Sequence, residues 1–166
     1  MKKRWGDRWF DPGKTCDQII EGVNDFFIRN NFDVVETDYT NMDGMTSEWT
    51  QLHECLAPLL KIFDVKHHQE ITYLCNGLIY SAARTKRFFV YYYPGPGVKS
   101  GSPTTTLFNT IFNAVYEGNA IHLTRPDFTY EQVADEIGPK YGDDGLMRAC
   151  YAKNMLTSVS SSDGLA

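Results

Sequence analysis

With 166 residues the chain is long enough to close one domain around a real core, and its composition, 42% hydrophobic and 22% charged, is that of an ordinary soluble protein. A net charge of −5 counts against a coat that grips nucleic acid with its whole surface, but leaves room for an acidic catalytic centre with basic parts elsewhere. Cys16, Cys55, Cys75 and Cys150 contain no Cys-x-x-Cys pair and read as reduced thiols in a cytosolic setting, no apolar run reaches a membrane span, and the basic start Met1-Lys2-Lys3-Arg4-Trp5 lacks the apolar stretch of a signal peptide.

The elements follow in order. Thr15-x-x-Gln18 fits a capping box, and Ile19, Ile20, Val23, Phe26 and Phe27 then repeat at helical spacing until Asn30-Asn31. Residues 32–39 form a β-prone run around Val34 and Val35, broken at Thr40-Asn41-Met42-Asp43-Gly44. Thr46 or Ser47 can cap a long helical region with Trp49, Leu52, Leu56, Leu59, Leu60 and Phe63 on one stripe and a kink at Pro58. A second helix spans about residues 68–83, with Ile71, Leu74, Cys75, Leu78, Ile79 and Ala82 inward. His67-His68 precedes it; a metal role is open, although adjacent residues do not share a helix face and a solvated helix start is the commoner outcome.

Residues 87–93 read as a strand that ends in the turns of Pro94-Gly95-Pro96-Gly97. Ser102 as N-cap and Pro103 at the first helical position open a helix buried through Leu107, Phe108, Ile111, Phe112 and Val115, with Thr105, Asn109 and Asn113 along its polar face. Thr129-x-x-Gln132 opens a short helix over 130–136. Tyr141-Gly142-Asp143-Asp144-Gly145 is then a tight turn between short strands at 137–141 and 146–150, its glycines free to take positive φ on either side of the acids. With no internal repeat and no long linker, the expected fold is a single α/β (α+β) unit: a small antiparallel sheet backed by helices.

Three patterns carry chemistry. Asp38-x-x-x-x-Asp43 lies at the end of a predicted strand, Ser100-Gly101-x-x-x-Thr105-x-x-x-Asn109 at a loop-to-helix junction, and Gly142-Asp143-Asp144 at a hairpin tip. Gly-Asp-Asp by itself is most often an exposed turn. The middle pattern fixes four residues and arises by chance on the order of once in 10⁵ starting positions.

In this order the three resemble motifs A, B and C in the palm of positive-strand RNA virus RNA-dependent RNA polymerases, in wording nearest to the nodavirus-like ones. Glu36-Thr37-Asp38, Ser100-Gly101-Ser102-Pro103-Thr104-Thr105-Thr106 and the run from Gly138-Pro139-Lys140 through Asp143-Asp144-Gly145-Leu146 carry the likeness, which spans about residues 8–156. Motif A falls at about 34–48, motif B at about 99–118 and motif C at about 138–149.

The resemblance implies a right-hand palm with a partial fingers segment, most of the fingers and the thumb being absent. It implies template-directed transfer of nucleotides from ribonucleoside triphosphates to an RNA 3′-hydroxyl, with two Mg²⁺ ions, replaceable by Mn²⁺. By resemblance Asp38 and Asp143 clamp the ions, Asp144 supports them, and the Tyr39 carbonyl is a backbone ligand. Asp43, Ser100, Gly101, Thr105 and Asn109 then serve the substrate, Asp43 and Asn109 by selecting the ribose; for Asn109 and Asn113 a solvated helix face, and for Asp43 a turn-former, are the plain alternatives. The implied partners are the RNA template and nascent strand, the triphosphates, and the remaining fingers and thumb. The implied place is the host cytoplasm, at membrane-associated replication complexes reached through other parts of the parent protein, since no membrane segment occurs here. The isolated segment is expected to be inactive and to expose apolar surface.

The pattern departs from the family in three ways. Pro139 falls where the first hairpin strand should donate ladder bonds. No residue matches the basic finger grip on the triphosphate, Lys2, Lys3, Arg4 and Arg8 lying too near the start to judge. Lys153 is the nearest candidate for the motif D lysine. Rival readings are an inactive palm acting as scaffold or RNA-binding module, and, ranked lower, a reverse transcriptase, which usually has a bulky residue at the position of Asp43.

Overall fold

The computed structural model describes residues 8–99, 101, 102 and 104–155. At its centre is a three-stranded antiparallel sheet in the order β1-β5-β4, formed by Val34–Thr37 (β1), Lys140–Tyr141 (β4) and Asp144–Arg148 (β5). The Val34-Val35 pair favours a strand, as the sequence predicts, and β1 runs against β5 from Val34 opposite Arg148 to Thr37 opposite Gly145. Pro139 precedes β4 and only accepts, from the Leu146 N–H at 3.0 Å, so its missing donor leaves no ladder position empty. The outer edge of β4 is covered by the N-terminal segment: Lys140 N donates to the Trp9 carbonyl and Asp11 N to the Lys140 carbonyl.

Behind the sheet runs Thr105–Thr124 (α6), a 20-residue helix packed on β4 and β5. Its apolar side, with Phe108, Phe112 and Ile121, joins Met147 of β5 and Tyr151 in the main core. Its polar side is buried as well: Asn109, Thr110, Asn113 and Glu117 are all withdrawn from water. A solvated face at Asn109 and Asn113 is thereby ruled out. Such burial is tolerated only where partners exist, and Glu117 has them. Its carboxylate lies 2.7 Å from the Lys140 ammonium, both side chains fully buried, and accepts from Gly138 N. Burial pushes the Glu117 carboxyl up, while Lys140 and the Gly138 N–H pull it back. Lys140 also donates to the Leu146 carbonyl, so one ion pair pins α6 to both strands of the hairpin.

Both predicted capping boxes form, at Thr15/Gln18 before Cys16–Arg29 (α1) and at Thr129/Gln132 before Tyr130–Glu136 (α7). Along α1, Ile20 lies exposed rather than inward. The helical region after motif A differs from the expected kinked helix. It consists of Met42–Met45 (α2), Glu48–Thr50 (α3), a π-helical turn at Gln51–Leu56 and Ala57–Ile62 (α4), with a short 3₁₀ turn at Val65–His67. The wider turn comes just before Pro58, which lacks an N–H and whose ring would crowd the preceding turn of a regular helix. Trp49 and Phe63, expected inward, lie half exposed at the ends of this region.

His68–Ile79 (α5) stops four residues short of the expected end. Ala82 therefore lies outside it, and Leu74 faces solvent. Ala83–Arg84 (β2) instead pairs with Tyr91–Tyr92 (β3), the only extended part of the predicted 87–93 strand; Phe89 takes φ +55, and Arg84 lies over the Phe89 ring at 5.1 Å. α6 begins at Thr105, with Thr104 at its N-cap and no side-chain cap bond; the Ser102 hydroxyl accepts from Thr104 N just before it, and the expected first position, Pro103, lies outside the described residues. Among the described residues no helix is long and apolar enough to cross a membrane.

The Glu117–Lys140 pair gives a stability test. Lys140→Met leaves the carboxylate buried without its cation, so chemical denaturation should show a loss of about 3–5 kcal/mol. The double variant Glu117→Met/Lys140→Met removes both charges and should recover most of it.

Candidate active site

Asp38 is the residue after β1, and Thr37 pairs with Gly145. The two ends of the motif A and motif C patterns, 105 residues apart in sequence, therefore meet at one edge of one sheet. The turn itself is Gly142-Asp143 between Tyr141 and Asp144, which pair across it. Gly142 has φ +65 at the first central position, where a two-residue hairpin turn needs a residue without a Cβ. Gly145 is glycine for a different reason than a positive φ. A Cβ there would lie 2.6 Å from Lys140 Cδ and 2.9 Å from Thr37 Oγ1, so the close approach of the strand to the buried ion pair excludes any side chain.

The carboxyl of Asp144 is held above its ordinary range, first by partial burial and then by the like charges of Asp143, Asp38 and Glu36. That mutual repulsion places the acids within electrostatic reach of one another. They lie at an open strand end, Asp38 and Asp144 exposed and Asp143 half-buried. Among the described residues no three His, Cys, Asp or Glu side chains gather on one point that could hold a metal ion.

Motif B meets the other two through α6. Asn109 Nδ2 donates to Asp43 Oδ1 at 2.6 Å, across 66 residues of sequence, so the two expected ribose-contacting residues are partners. Asn109 is buried, and its Oδ1 has no hydrogen-bond partner among the described residues. Asp43 also lines a cleft of about 510 Å³ with Ser47, Tyr92, Gly97 and Lys99.

Thr105 does not join this pair. Its hydroxyl donates to the Lys99 carbonyl at 2.8 Å, tying the motif B loop to the first turn of α6. Gly101 turns that loop with φ +82, and Ser100 lies outside the described residues. Tyr39 packs its ring against Tyr116, 6.0 Å between centroids, and its hydroxyl is pushed up by burial and by Glu117. Lys153 is exposed on the helical stretch 149–155. Arg8, within the described residues, is paired with Asp135 rather than free.

Two residues that the motif reading leaves aside touch the acid turn directly. Asn113 Nδ2 donates to the carbonyls of Asp143 at 3.0 Å, Asp144 at 3.2 Å and Gly142 at 3.4 Å. Thr110 Oγ1 accepts from Gly142 N at 2.8 Å. The signal available in the sequence was the spacing: Asn113 lies four residues after Asn109 and therefore on the same helix face.

The family model described as viral RNA-dependent RNA polymerase matches residues 12–161. The chain belongs to this polymerase family. It is 39% identical over 149 residues to the RNA-directed RNA polymerase of Flock house virus, covering 90% of this chain and 15% of that protein. For the Boolarra virus polymerase the figures are 40% over 147 residues, 89% and 15%, and for that of Nodamura virus 37% over 157 residues, 95% and 15%. The chain thus spans about 15% of the length of these relatives. The mixed helices and small antiparallel sheet fit a polymerase palm.

The crowding of acids has a pH signature. Asp144 binds its proton more readily in the folded chain than in the unfolded one, so its ionisation opposes folding. Its contribution is present at low pH and is lost as pH rises through the raised value. In metal-free protein, Asp144→Asn should therefore raise the melting temperature at neutral pH and flatten its decline over about pH 4–7. Thermal melts of both proteins across that range check this; parallel profiles would contradict the crowding.

Proposed function

We propose that the chain forms the catalytic palm of a larger RNA-dependent RNA polymerase and serves template-directed transfer of ribonucleotides to an RNA 3′-hydroxyl. The observation that carries this reading is the meeting of all three motifs on one sheet and one helix: Asp38 beside the Asp143-Asp144 turn, and Asp43 bonded to Asn109. A chance resemblance of three short patterns gives no reason for their side chains to converge.

The donors suit a hard divalent cation. Carboxylate oxygens are the ligands Mg²⁺ and Mn²⁺ take, and Mg²⁺ commonly uses one or two protein carboxylates with water and substrate phosphates completing its shell. Asp144 is already raised by its acidic neighbours, repulsion that a cation would relieve. Asp38 and Asp143 would hold the ions, with Asp144 in support; bound there, two such ions would supply activation of the attacking hydroxyl and charge neutralisation on the triphosphate. The chain's own residues position. Asp43 and Asn109 offer an acceptor and a buried amide to a ribose 2′-hydroxyl, which a reverse transcriptase site would exclude. Surfaces such as Ile62, Val65 and Tyr73, together with residues 88–93 in and beside β3, are exposed and available to the remaining fingers, thumb and RNA of the parent enzyme.

Single-nucleotide incorporation by the full-length protein tests the reading. Asp143→Asn keeps the shape and removes a charge, and activity should fall by at least about 100-fold. Asn109→Ala or Asp43→Ala removes one hydrogen bond to the sugar, and the ribo- over deoxyribonucleotide preference should shrink by roughly 5–150-fold, the equivalent of about 1–3 kcal/mol. Retention of most activity by Asp143→Asn would sink the polymerase reading; an unchanged sugar preference in both alanine variants would leave Asp43 and Asn109 without the selecting role.

A further inference from the structure

The tip of a two-residue hairpin is ordinarily the least restrained part of a sheet. Here it also carries like charges that push it away from Asp38 and Glu36. Yet four backbone groups of the tip are tied to side chains of α6. Gly142 donates its N–H to Thr110 Oγ1 at 2.8 Å. Thr110 spends its own proton on the Thr106 carbonyl at 2.6 Å, so its hydroxyl is fixed as the acceptor toward the turn. The Asn113 amide faces three carbonyls, those of Gly142, Asp143 and Asp144. Only the NH₂ end, with its two hydrogens shared among the three carbonyls, can face acceptors, which fixes the orientation of the amide. Its Oδ1 is left buried without a partner among the described residues, so aiming the hydrogens at the turn comes at the expense of the other end.

We propose that Thr110 and Asn113 are positioning residues for nucleotidyl transfer: they hold the backbone of Gly142–Asp144 so that the acids keep their place relative to Asp38 and to the sugar-contacting pair. This rests on the polymerase reading above. Asn109 and Asn113 are one helical turn apart on the same face, about 6 Å along the axis. Asn109 holds Asp43 and Asn113 holds the acid turn, so one rigid stretch of α6 sets the spacing between the site's sugar-reading side and its acidic side. Neither Thr110 nor Asn113 touches substrate; each acts through the carboxylates it places. Misplacing a reacting group by about 1 Å can cost about 100-fold in rate without loss of binding, so the effect should fall on kcat.

The test compares Thr110→Val, which has the same shape without the hydroxyl, with Thr110→Ser, which restores it, and with Asn113→Asp, which replaces the three-carbonyl donor by an acceptor. In the full-length protein, Thr110→Val should lower kcat by at least about 10-fold while KM for the nucleotide stays within about 2-fold, and Thr110→Ser should regain most of the loss. Amide hydrogen exchange should show Gly142 N–H released by Thr110→Val, with protection at Ile121 in the middle of the core unchanged. Wild-type kcat in Thr110→Val or in a folded Asn113→Asp would overturn the proposal. So would a fall in kcat that Thr110→Ser does not rescue and that accompanies lost protection along all of α6, since that is a merely structural effect. Asp143→Asn run alongside separates the two claims: if it stays active the polymerase reading fails, and if it is dead while Thr110→Val is unaffected only the positioning role fails.

Discussion

The structure depends on the burial of one polar helix face. Asn109, Thr110, Asn113 and Glu117 fall on one face over successive turns of α6, and each would be costly to bury alone. Each is matched by a group from a different part of the chain: Asp43 after β1, Gly142 and its neighbours at the hairpin tip, and Lys140 on β4. The helix thereby cross-links the three motif-bearing segments through hydrogen bonds whose geometry is far more restrictive than apolar contact. Sheet and helix would pack with a wholly apolar interface too, but such an interface would not fix where the turn sits.

Charge is arranged in two layers. Beneath the sheet, Glu117 and Lys140 neutralise each other out of reach of water. At its open end, Asp38, Asp143, Asp144 and Glu36 crowd together, and among the described residues no Lys, Arg or His is ion-paired with them. Gly145 joins the layers: only a residue without a side chain lets the strand that carries Asp144 lie against Lys140. Such crowding is repulsion that a bound multivalent cation would relieve, and the hydrogen bonds from Thr110 and Asn113 hold the turn against it.

Much of this was legible in the sequence where the signal was local or motif-bound. The capping boxes at Thr15 and Thr129 and the Val34-Val35 strand depend on neighbouring residues and appear as read; the acid hairpin forms too, but its strands are Lys140–Tyr141 and Asp144–Arg148 rather than 137–141 and 146–150, so Asp144 and Gly145 belong to a strand and residues 149–150 to a helix. The convergence of Asp43 with Asn109 followed from the family resemblance. What the sequence could not show was set by tertiary context. The polar face of α6 has the pattern of a solvated surface, and only the partners on distant segments turn it inward. The Phe-Phe-Val-Tyr-Tyr-Tyr run has every local mark of a long strand, but with a single short neighbour, β2, it extends only at Tyr91–Tyr92. Pro58 signals a break in a regular helix without saying that a wider turn would absorb it. Asn113 carried no signal beyond its spacing from Asn109, and Thr110 carried none.

The central claim is that the ends of β1 and of the acid hairpin lie together, so that Asp38 and Asp143 would share a divalent cation. Paramagnetic broadening by Mn²⁺ in NMR spectra of the chain reads this most directly. The account predicts that the backbone amides of Asp38, Tyr39, Asp143 and Asp144 broaden together, at lower Mn²⁺ than those around exposed acids elsewhere such as Asp64 and Asp127, and that Asp143→Asn abolishes the effect at Asp38 as well as locally. Broadening of the hairpin without Asp38, or of all exposed acids alike, would contradict it.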